Sequence, residues 1–272
     1  MKKMFLMAIA VLILTESCAE KKEAATIICL ETSYGKISVK LYPETAKHRD
    51  NLIKLVDSGF YDGLLFHRVI NGFMIQTGDP DSKTAKPQAT LGSGAVGYTI
   101  PAEFVYPKYY HKRGALAAAR KGDQVNPKKE SSGCQFYIVQ GKIFSDEELD
   151  ALEENNKHRL ENKLFQEILA TKQNRVDRLQ REHDQAGLDK LRDSIMEEVH
   201  AKVETDSTGK FTEQQRNDYK TIGGAPHLDG AYTVFGEVVE GMDIVDKISK
   251  VQVGKNDRPV EDVRVLKATV VR

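Results

Sequence analysis

One arginine lies inside an apolar stretch of the sequence. The segment LFHRVINGFMIQTGD, from Leu65 to Asp79, consists of two short apolar runs around an Asn-Gly turn, and Arg68 lies in the first run. Because side chains alternate along a strand, Arg68 is predicted to share a face with Phe66 and Ile70. A guanidinium is always charged, offers five N–H donors, and is rarely buried without a partner. Arg68 is therefore either anchored, by water or by a carboxylate such as Asp79, or free to donate to a bound molecule.

Other residue types that carry chemistry are scattered. The seven histidines form no close group with cysteine or aspartate, so we predict no metal site and no cofactor. His67 would point away from the face of Arg68 and is interpreted as structural. The Gly-rich segment LGSGAVG at 91–97 lacks the Lys-Ser/Thr of a phosphate-binding P-loop, which favours an ordinary loop. Cys29 and Cys134 could form one disulfide, but two independent thiols are expected.

Length and charge limit the class of protein. The chain has 272 residues, which suits one large domain or one domain with an appendage. Its 40 basic and 40 acidic residues give a formal net charge of zero. A neutral surface is a poor match for a phosphate backbone, so nucleic acid is not an expected partner. The oligomeric state is not predicted.

The first residues have the pattern of a secretory signal. Two lysines precede an apolar run from Met4 to Leu14 that is too short to span a bilayer. The run ends at Thr15-Glu16-Ser17-Cys18, which resembles the lipobox of bacterial lipoproteins, although leucine is usual where Thr15 stands. The resemblance implies a signal peptide over 1–17, a lipid anchor at Cys18, a tether over 18–25, and an exported envelope lipoprotein that faces the periplasm or the cell surface. The alternative is a plain secretory signal with an incidental cysteine.

Short strand patterns occur on both sides of a helical block. Strands are predicted at TIICLE and KISVKLY after Thr26, and at 65–70, 73–76, 114–119, 135–139, 232–239 and 263–271, with helices at 43–59 and 242–249. Many short strands with Gly-rich turns and only two helices favour a closed antiparallel barrel with helices over its ends.

The block at 145–220 differs in character. From Asp146 to Ala186 it contains neither Gly nor Pro, and Ser145 with Glu148 forms a capping-box pattern. One helix of about 40 residues would be roughly 60 Å long, longer than a barrel is wide, so we interpret the block as a helical hairpin inserted into a barrel loop. Within the block, Asn155-Asn156 could interrupt the first helix, Gly187 is predicted to end it, and further helices are predicted over 188–199 and from Thr212, capped with Gln215.

Four separated segments resemble the bacterial-type cyclophilins, which are peptidyl-prolyl cis-trans isomerases. They are FHRVINGFMIQTGD at 66–79, GALAAAR at 114–120, SSGCQFYIVQG at 131–141 and GGAPHLDGAYTVFGEVVEGMDIVDKI at 223–248. The resemblance covers about 26–144 and 221–272, and the helical insertion at 145–220 lies outside it. It implies a mainly β fold, an eight-stranded antiparallel barrel capped by two helices, with the site on the outer face.

Carried over position by position, the resemblance implies that Arg68 is the catalytic arginine. The implied substrate-binding residues are the proline-pocket residues Phe73, Met74, Tyr137 and Leu228, the neighbouring polar residues Gln76 and Gln135, the peptide-holding residues Ala119 and Arg120, and Tyr232, where many members have histidine. Tyr137 stands where phenylalanine is more usual, and His227 where cyclosporin-sensitive members have tryptophan. Strand alternation alone would place Phe73 opposite Met74 and Gln76.

The chemistry implied by this resemblance needs no nucleophile or metal. The barrier to rotation about an X-Pro bond, roughly 18–20 kcal/mol, arises from amide resonance, and the prolyl nitrogen gains a lone pair only when the bond twists. A donor to that lone pair binds the twisted state more strongly, and lowering the barrier by roughly 7 kcal/mol would raise the rate about 10⁵-fold. We therefore predict an isomerase that acts on proline-containing polypeptides and assists the folding of exported proteins.

Two alternatives concern the insertion. The chain could be a non-catalytic binding module for Pro-containing peptides or proteins, or a chaperone, with the helical insertion as its main functional surface. The insertion could also simply pack on the barrel and stabilise it.

Overall fold

A computed structural model describes residues 26–87, 89–206 and 209–271. The predicted signal peptide, Cys18 and the tether over 18–25 therefore lie outside the described residues. None of the helices within these ranges is both long and apolar enough to cross a membrane.

An eight-stranded antiparallel sheet forms the body of the molecule, with strand order β10-β1-β2-β9-β6-β8-β4-β3. Its strands are β1 (Ile27–Thr32), β2 (Gly35–Leu41), β3 (Arg68–Ile70), β4 (Met74–Thr77), β6 (Ala115–Ala118), β8 (Phe136–Val139), β9 (Val234–Glu240) and β10 (Val265–Val271). The short strands β5 (Thr99–Ile100) and β7 (Ser131–Ser132) form a separate pair.

The helices fall into two groups. Helices α1 (Ala46–Asp57) and α6 (Met242–Ser249) accompany the sheet, whereas α2 (Asp146–Thr171), α3 (Gln173–Arg181), α4 (Gln185–Thr205) and α5 (Glu213–Thr221) follow one another in the predicted insertion. We call α2 to α5 the arm. Three short 3-10 helices are η1 (Pro80–Thr84), η2 (Pro226–Leu228) and η3 (Lys255–Asp257).

The two edges of the sheet approach each other. Main-chain hydrogen bonds of 2.8 Å join residues 63–66, just before β3, to residues 263–265, at the start of β10. Leu65 also forms an isolated antiparallel bridge with Arg264. The sheet therefore curls round on itself, and the predicted eight-stranded antiparallel fold is confirmed.

The core lies inside this curled sheet. Along β2 every second residue is buried, and Ile37, Val39 and Leu41 point inward as period-2 alternation requires. The same cluster contains Leu52, Leu55 and Val56 of α1 and Ile244, Val245 and Ile248 of α6. These two helices thus contribute to the barrel core and cover apolar side chains that would otherwise be exposed to water. Cys29 and Cys134 are free thiols.

A second buried cluster lies on the outer face of the sheet. Its buried members include Tyr42, Met74, Tyr137 and Val139, and Phe73, Ala119, Leu228 and Tyr232 pack against it while partly exposed. This cluster is separate from the core inside the barrel, and its partly exposed members present apolar side chains at the outer surface.

The arm is a hairpin with its own apolar cluster. Helix α4 packs against both α2 and α3 through Leu191, Ile195 and Val199, which contact Ile168 and Leu179. The first helix ends at Thr171 instead of continuing to Ala186, and α2 is about 39 Å long. Both predicted capping boxes, at the starts of α2 and α5, are confirmed.

The predicted helix breaks are wrong. Asn155 and Asn156 lie inside α2, and the Asn156 side chain donates to the Gly209 carbonyl at 3.2 Å. Gly187 lies in the first turn of α4, where its N–H donates to the Asp184 capping carboxylate at 2.8 Å. A Cβ at Gly187 would come within 2.7 Å of the Leu179 side chain, so glycine is needed there for space and not to end a helix.

Candidate active site

Neighbouring strands bring the predicted residues onto one outer face. Arg68 on β3 pairs with Gln76 on β4, and Gln76 pairs with Tyr137 on β8. Tyr137 in turn pairs with Ala117 on β6. Residues directly opposite each other on adjacent strands point to the same face, so the sheet register itself aligns Arg68, Gln76 and Tyr137 in a row.

Nine of the ten predicted catalytic and substrate-binding residues line one pocket of about 110 Å³. They are Arg68, Phe73, Met74, Gln76, Ala119, Arg120, Tyr137, Leu228 and Tyr232. Residues separated by up to 164 positions in the chain therefore meet at one place. Among the described residues, this lining contains two cationic side chains and no acidic one.

The tenth residue, Gln135, lies beside this pocket and orients Gln76. Gln135 is buried, and its Oε1 accepts a hydrogen bond from Gln76 Nε2 at 3.0 Å. Its own Nε2 donates to the carbonyls of Gly94 at 2.8 Å and Gly92 at 3.1 Å. The Gly-rich segment at 91–97 is a loop, as predicted, and it holds the amide that positions Gln76.

The alternation of side chains between the two faces of the sheet does not extend from β3 back to Phe66. Phe66 belongs to the interior core, whereas Arg68 and Ile70 face outward, so the predicted shared face is wrong for Phe66. The physical reason is that the regular strand begins only at Arg68. Phe73 lies in the turn before β4, where its N–H donates to the Ile70 carbonyl at 3.1 Å. It is therefore free of the β4 alternation and reaches the same pocket as Met74.

Arg68 has an acidic partner that the sequence did not suggest. Its side chain is 40% exposed, and its Nε lies 3.3 Å from the Asp257 carboxylate. Within the described ranges this is the one hydrogen bond of the Arg68 side chain, so its terminal N–H groups remain able to donate elsewhere. The alternative pairing with Asp79 is wrong, because that buried carboxylate accepts from the backbone N–H groups of Gly92 and Gly94.

The loop that carries Asp257 has an unusual backbone. Asn256 and Asp257 have φ values of 59° and 58°, a region that non-glycine residues seldom adopt. The next residue, Arg258, is buried and donates to the carbonyls of Ala89 at 2.6 Å and Lys86 at 3.1 Å. Anchoring by Arg258 thus holds the loop in the conformation that brings Asp257 to Arg68.

Arg120 is tied into the protein at one side of the pocket. Its side chain is 4% exposed, its Nε donates to the Ala231 carbonyl at 2.7 Å, and its guanidinium lies 4.4 Å from the Tyr232 ring centre. The main chain of Ala119 is also paired, with its N–H on the Gln135 carbonyl and its carbonyl on Ser132. The polar groups of Arg120 and Ala119 named here are therefore hydrogen-bonded within the protein, and the two residues form one rigid side of the pocket.

Tyr137 forms the floor of the pocket. Its ring packs edge-to-face against Tyr232 with centroids 6.0 Å apart, and its hydroxyl lies 3.0 Å from His111 Nε2. Burial raises the pKa of Tyr137 well above its ordinary value, so the hydroxyl is neutral. His111 and Asp257 were missed by the sequence analysis because no local pattern links them to the pocket.

His227 packs against the pocket from outside. Its ring centroid lies 5.2 Å from that of Phe73. Partial desolvation of the ring, followed by the nearby His111, lowers the pKa of His227 below its usual value. The pocket thus offers apolar walls beside the N–H donors of Arg68, a combination that can hold a small apolar ring and donate to an atom next to it.

Comparisons with known proteins identify the family that the chain resembles over most of its length. The sequence model of the family "Cyclophilin type peptidyl-prolyl cis-trans isomerase/CLD" matches residues 27–201 and 212–270. A Staphylococcus haemolyticus protein, provisionally named a peptidyl-prolyl cis-trans isomerase, is 29% identical over 237 residues, which are 87% of this chain and 86% of that protein.

Solved structures show the same fold. A crystal structure of a Cryptosporidium parvum cyclophilin-type peptidyl-prolyl cis-trans isomerase matches with a TM-score of 0.54 and 18% identity, covering 91% of this chain and 98% of that one. A second crystal structure of that protein, in the presence of the dipeptide Ala-Pro, matches with a TM-score of 0.53 and 18% identity, covering 90% of this chain and 99% of that one.

Proposed function

The chain belongs to the cyclophilin-type peptidyl-prolyl cis-trans isomerase family, and from this premise we propose that the outer-face pocket is its catalytic site, with Arg68 as the catalytic residue. The protein is an isomerase. The observation that carries the assignment of the site is the convergence of Arg68 with the apolar side chains of Phe73, Met74 and Leu228 in one pocket.

The proposed mechanism uses only groups of this chain. The apolar walls hold the proline ring, and a terminal N–H of Arg68 donates to the prolyl nitrogen. In the planar peptide the nitrogen lone pair is delocalised, so this hydrogen bond gains strength only as the bond twists. An interaction that is stronger in the transition state than in the ground state raises the rate. Because the Asp257 carboxylate binds Nε of Arg68, the terminal N–H groups of Arg68 remain able to donate to a substrate.

The proposed substrates are polypeptides that contain proline. The pocket of about 110 Å³ is small, which suits one ring better than a large side chain. The Ala-Pro dipeptide present with the Cryptosporidium parvum protein belongs to this class of ligand. In the proposed role the enzyme speeds the folding of exported proteins, whose X-Pro bonds isomerise slowly without a catalyst.

A protease-coupled assay with a Pro-containing peptide tests the role of Arg68. We expect Arg68→Ala to lower kcat/KM by about a hundredfold or more, the usual effect of removing one preorganised transition-state donor. Arg68→Lys keeps the charge but loses the planar fork, and should recover only part of the activity.

The matched control is Arg192→Ala on the arm, which removes an arginine that is 61% exposed and does not line the pocket. It should behave as wild type. If wild type and Arg68→Ala are equally close to the uncatalysed rate, the proposed site is wrong.

We also propose that the mature protein is a lipoprotein held at a bacterial membrane through Cys18. The support for this proposal is the sequence pattern alone: a basic start, a short apolar run and a cysteine after a small residue. An anchor and a tether would place the isomerase where exported chains fold.

A second role, the binding of client or partner proteins by the arm, is favoured by one observation. The apolar cluster of the arm, built around Ile195 and Val199, is separate from the barrel core. The distal arm is therefore not needed to fill the barrel, and its surface is available for another function.

A further inference from the structure

A chain of hydrogen bonds runs from the arm to the floor of the pocket. The Tyr219 hydroxyl of α5 donates to Asp229 Oδ2 at 2.6 Å. Asp229 Oδ1 lies 2.9 Å from His111 Nδ1, and His111 Nε2 lies 3.0 Å from the Tyr137 hydroxyl. Three consecutive hydrogen bonds thus connect the last arm helix with a pocket residue.

The groups involved decide which nitrogen of His111 faces Asp229 and which faces Tyr137. A carboxylate only accepts, so His111 Nδ1 carries the proton that it shares with Asp229. His111 Nε2 is then left to pair with the Tyr137 hydroxyl at 3.0 Å. Because His111 does not line the pocket, this bond turns the Tyr137 hydroxyl away from the pocket and leaves the ring as its floor.

The chain is shielded from water along most of its length. The side chains of His111 and Asp229 are 1% and 5% exposed, and Tyr219 and Tyr137 are both buried. Burial raises the pKa of Tyr219 and of Tyr137 well above the ordinary value, so both phenols stay protonated and can donate. Buried polar networks of this kind fix side-chain positions when every member is paired.

Asp229 is the branching point of the chain. Besides Tyr219 and the His111 ring, its Oδ1 accepts the backbone N–H of His111 at 2.8 Å. One carboxylate therefore holds both the ring and the backbone of His111. Removing the Tyr219 hydroxyl would take away one of the three hydrogen-bond donors named here for the Asp229 carboxylate. The restraint that Asp229 places on His111 would then be weaker.

Helix α5 is itself bound to the start of α2. Arg216 of α5 contacts the carboxylates of Asp146, Asp150 and Glu153 at 3.1, 2.8 and 3.4 Å. The Tyr219 ring packs with Phe144 and Phe211 in a cluster between the arm and the barrel. Tyr219 is thus held by the base of the arm while its hydroxyl reaches the chain.

We propose that Tyr219 is a positioning residue that acts through Asp229 and His111 to hold the Tyr137 ring against the bound proline, so that the base of the arm is part of the support of the pocket. The proposal rests on the proposed function, because it takes the outer-face pocket as the proline site. It assigns to the insertion a role in the isomerase reaction itself.

Tyr219→Phe is the first test, because it removes only the hydroxyl and keeps the ring in its cluster. We expect kcat/KM for a Pro-containing peptide to fall about threefold to tenfold, the effect of one net hydrogen bond. The loss should appear mainly as a higher KM with kcat retained, since a pocket floor contacts the ring in both planar and twisted states.

A double-mutant cycle separates this role from a general structural one. In a Tyr137→Phe background His111 has no hydroxyl at position 137 to bind, so adding Tyr219→Phe should change kcat/KM by less than about twofold. Full additivity of the two substitutions would overturn the proposal. If Tyr219→Phe does not fold, Asp229→Asn takes its place in the same cycle, with the same expectation of non-additivity.

Tyr110→Phe is the matched control. The Tyr110 hydroxyl also bonds to α5, on Asp218 at 2.5 Å, but it lies outside the chain to Tyr137. It should leave kcat/KM unchanged, and an effect as large as that of Tyr219→Phe would contradict the proposal. The proposed function fails separately, when wild type shows no isomerase activity or does not depend on Arg68.

Discussion

Arg68 combines an exposed head with a fixed base. Its Nε is held by Asp257. The loop that carries Asp257 is held in turn by the next residue, Arg258, whose side chain donates to the carbonyls of Lys86 and Ala89. A guanidinium restrained at one nitrogen keeps its planar fork in one orientation and loses less freedom when it donates to a substrate. The ion pair is partly exposed, so its own contribution to stability is small and its role is orientation.

The neighbouring His67 gives a prediction about acid stability. It is buried, and burial lowers its pKa from 6.5 to about 4. Between these values the unfolded chain binds a proton and the folded chain does not, so the free energy of unfolding falls as the pH drops. From about pH 7 to about pH 5 the loss from this one group is about 2 kcal/mol.

Denaturant unfolding at both pH values measures this effect. His67→Gln should lose less stability on acidification than wild type by about that amount. The control is His158→Gln on the arm, which removes a histidine that is 59% exposed and should follow wild type. An equal loss in His67→Gln and wild type would show that His67 is not the group concerned.

At the scale of single elements, the outer-face strands explain why much of the site was predictable. Met74, Gln76 and Tyr137 belong to short strands whose local patterns fix which side chains share a face, and the family motifs coincide with those strands. Asp257 and His111 were not predictable in this way. Arg68 and Asp257 are 189 positions apart, and His111 and Asp229 are 118 apart, so only the folded barrel brings them together.

The helices, too, were predictable only in part. The capping boxes at Ser145 and Thr212 mark real helix starts, because a cap depends on residues within one turn. The helix end predicted at Gly187 is wrong, since glycine weakens helices in general but here avoids a clash with Leu179 in a neighbouring helix. Tertiary packing thus decided what local propensity could not.

The distal part of the arm is predicted to be separable from catalysis. Leu160 of α2 and Val203 of α4 line one cavity, so residues 161–202 between them can be replaced by a short Gly-Ser linker that keeps α5 and Tyr219. We expect this shortened variant to retain peptide isomerase activity within about twofold, because it keeps the hydrogen-bond chain to Tyr137. If the arm binds clients, the variant should lose its effect on the refolding of a Pro-limited protein.

Excision of residues 146–219 is the matched comparison, because it also removes Tyr219. It should lower peptide activity as well as client binding. Peptide activity lost equally in both variants would instead assign a direct catalytic or stabilising role to the distal arm. Unchanged client refolding in the shortened variant would remove the support for a binding role.

For the whole molecule, the prediction that matters is where the mature chain begins. Mass spectrometry of the protein purified from a bacterial membrane fraction should find an N-terminal peptide that starts at Cys18 and carries the added mass of lipid. Cys18→Ala should release the protein from that fraction, because one small domain without acyl chains has little affinity for a bilayer. An unmodified N-terminus at any other residue would contradict the anchor and favour a plain secretory signal.

The pairing of β1 with β10 bears on the order in which parts of the fold can form during synthesis. The first strand can form a hairpin with β2 at once, but its other edge stays unpaired until residues 265–271 have been synthesised. Helices α2, α3 and α4, which pack on one another, can form before that point. The seam between residues 63–66 and 263–265, immediately before Arg68, cannot close before residues 263–265 have left the ribosome, so a shorter nascent chain has an open barrel next to Arg68.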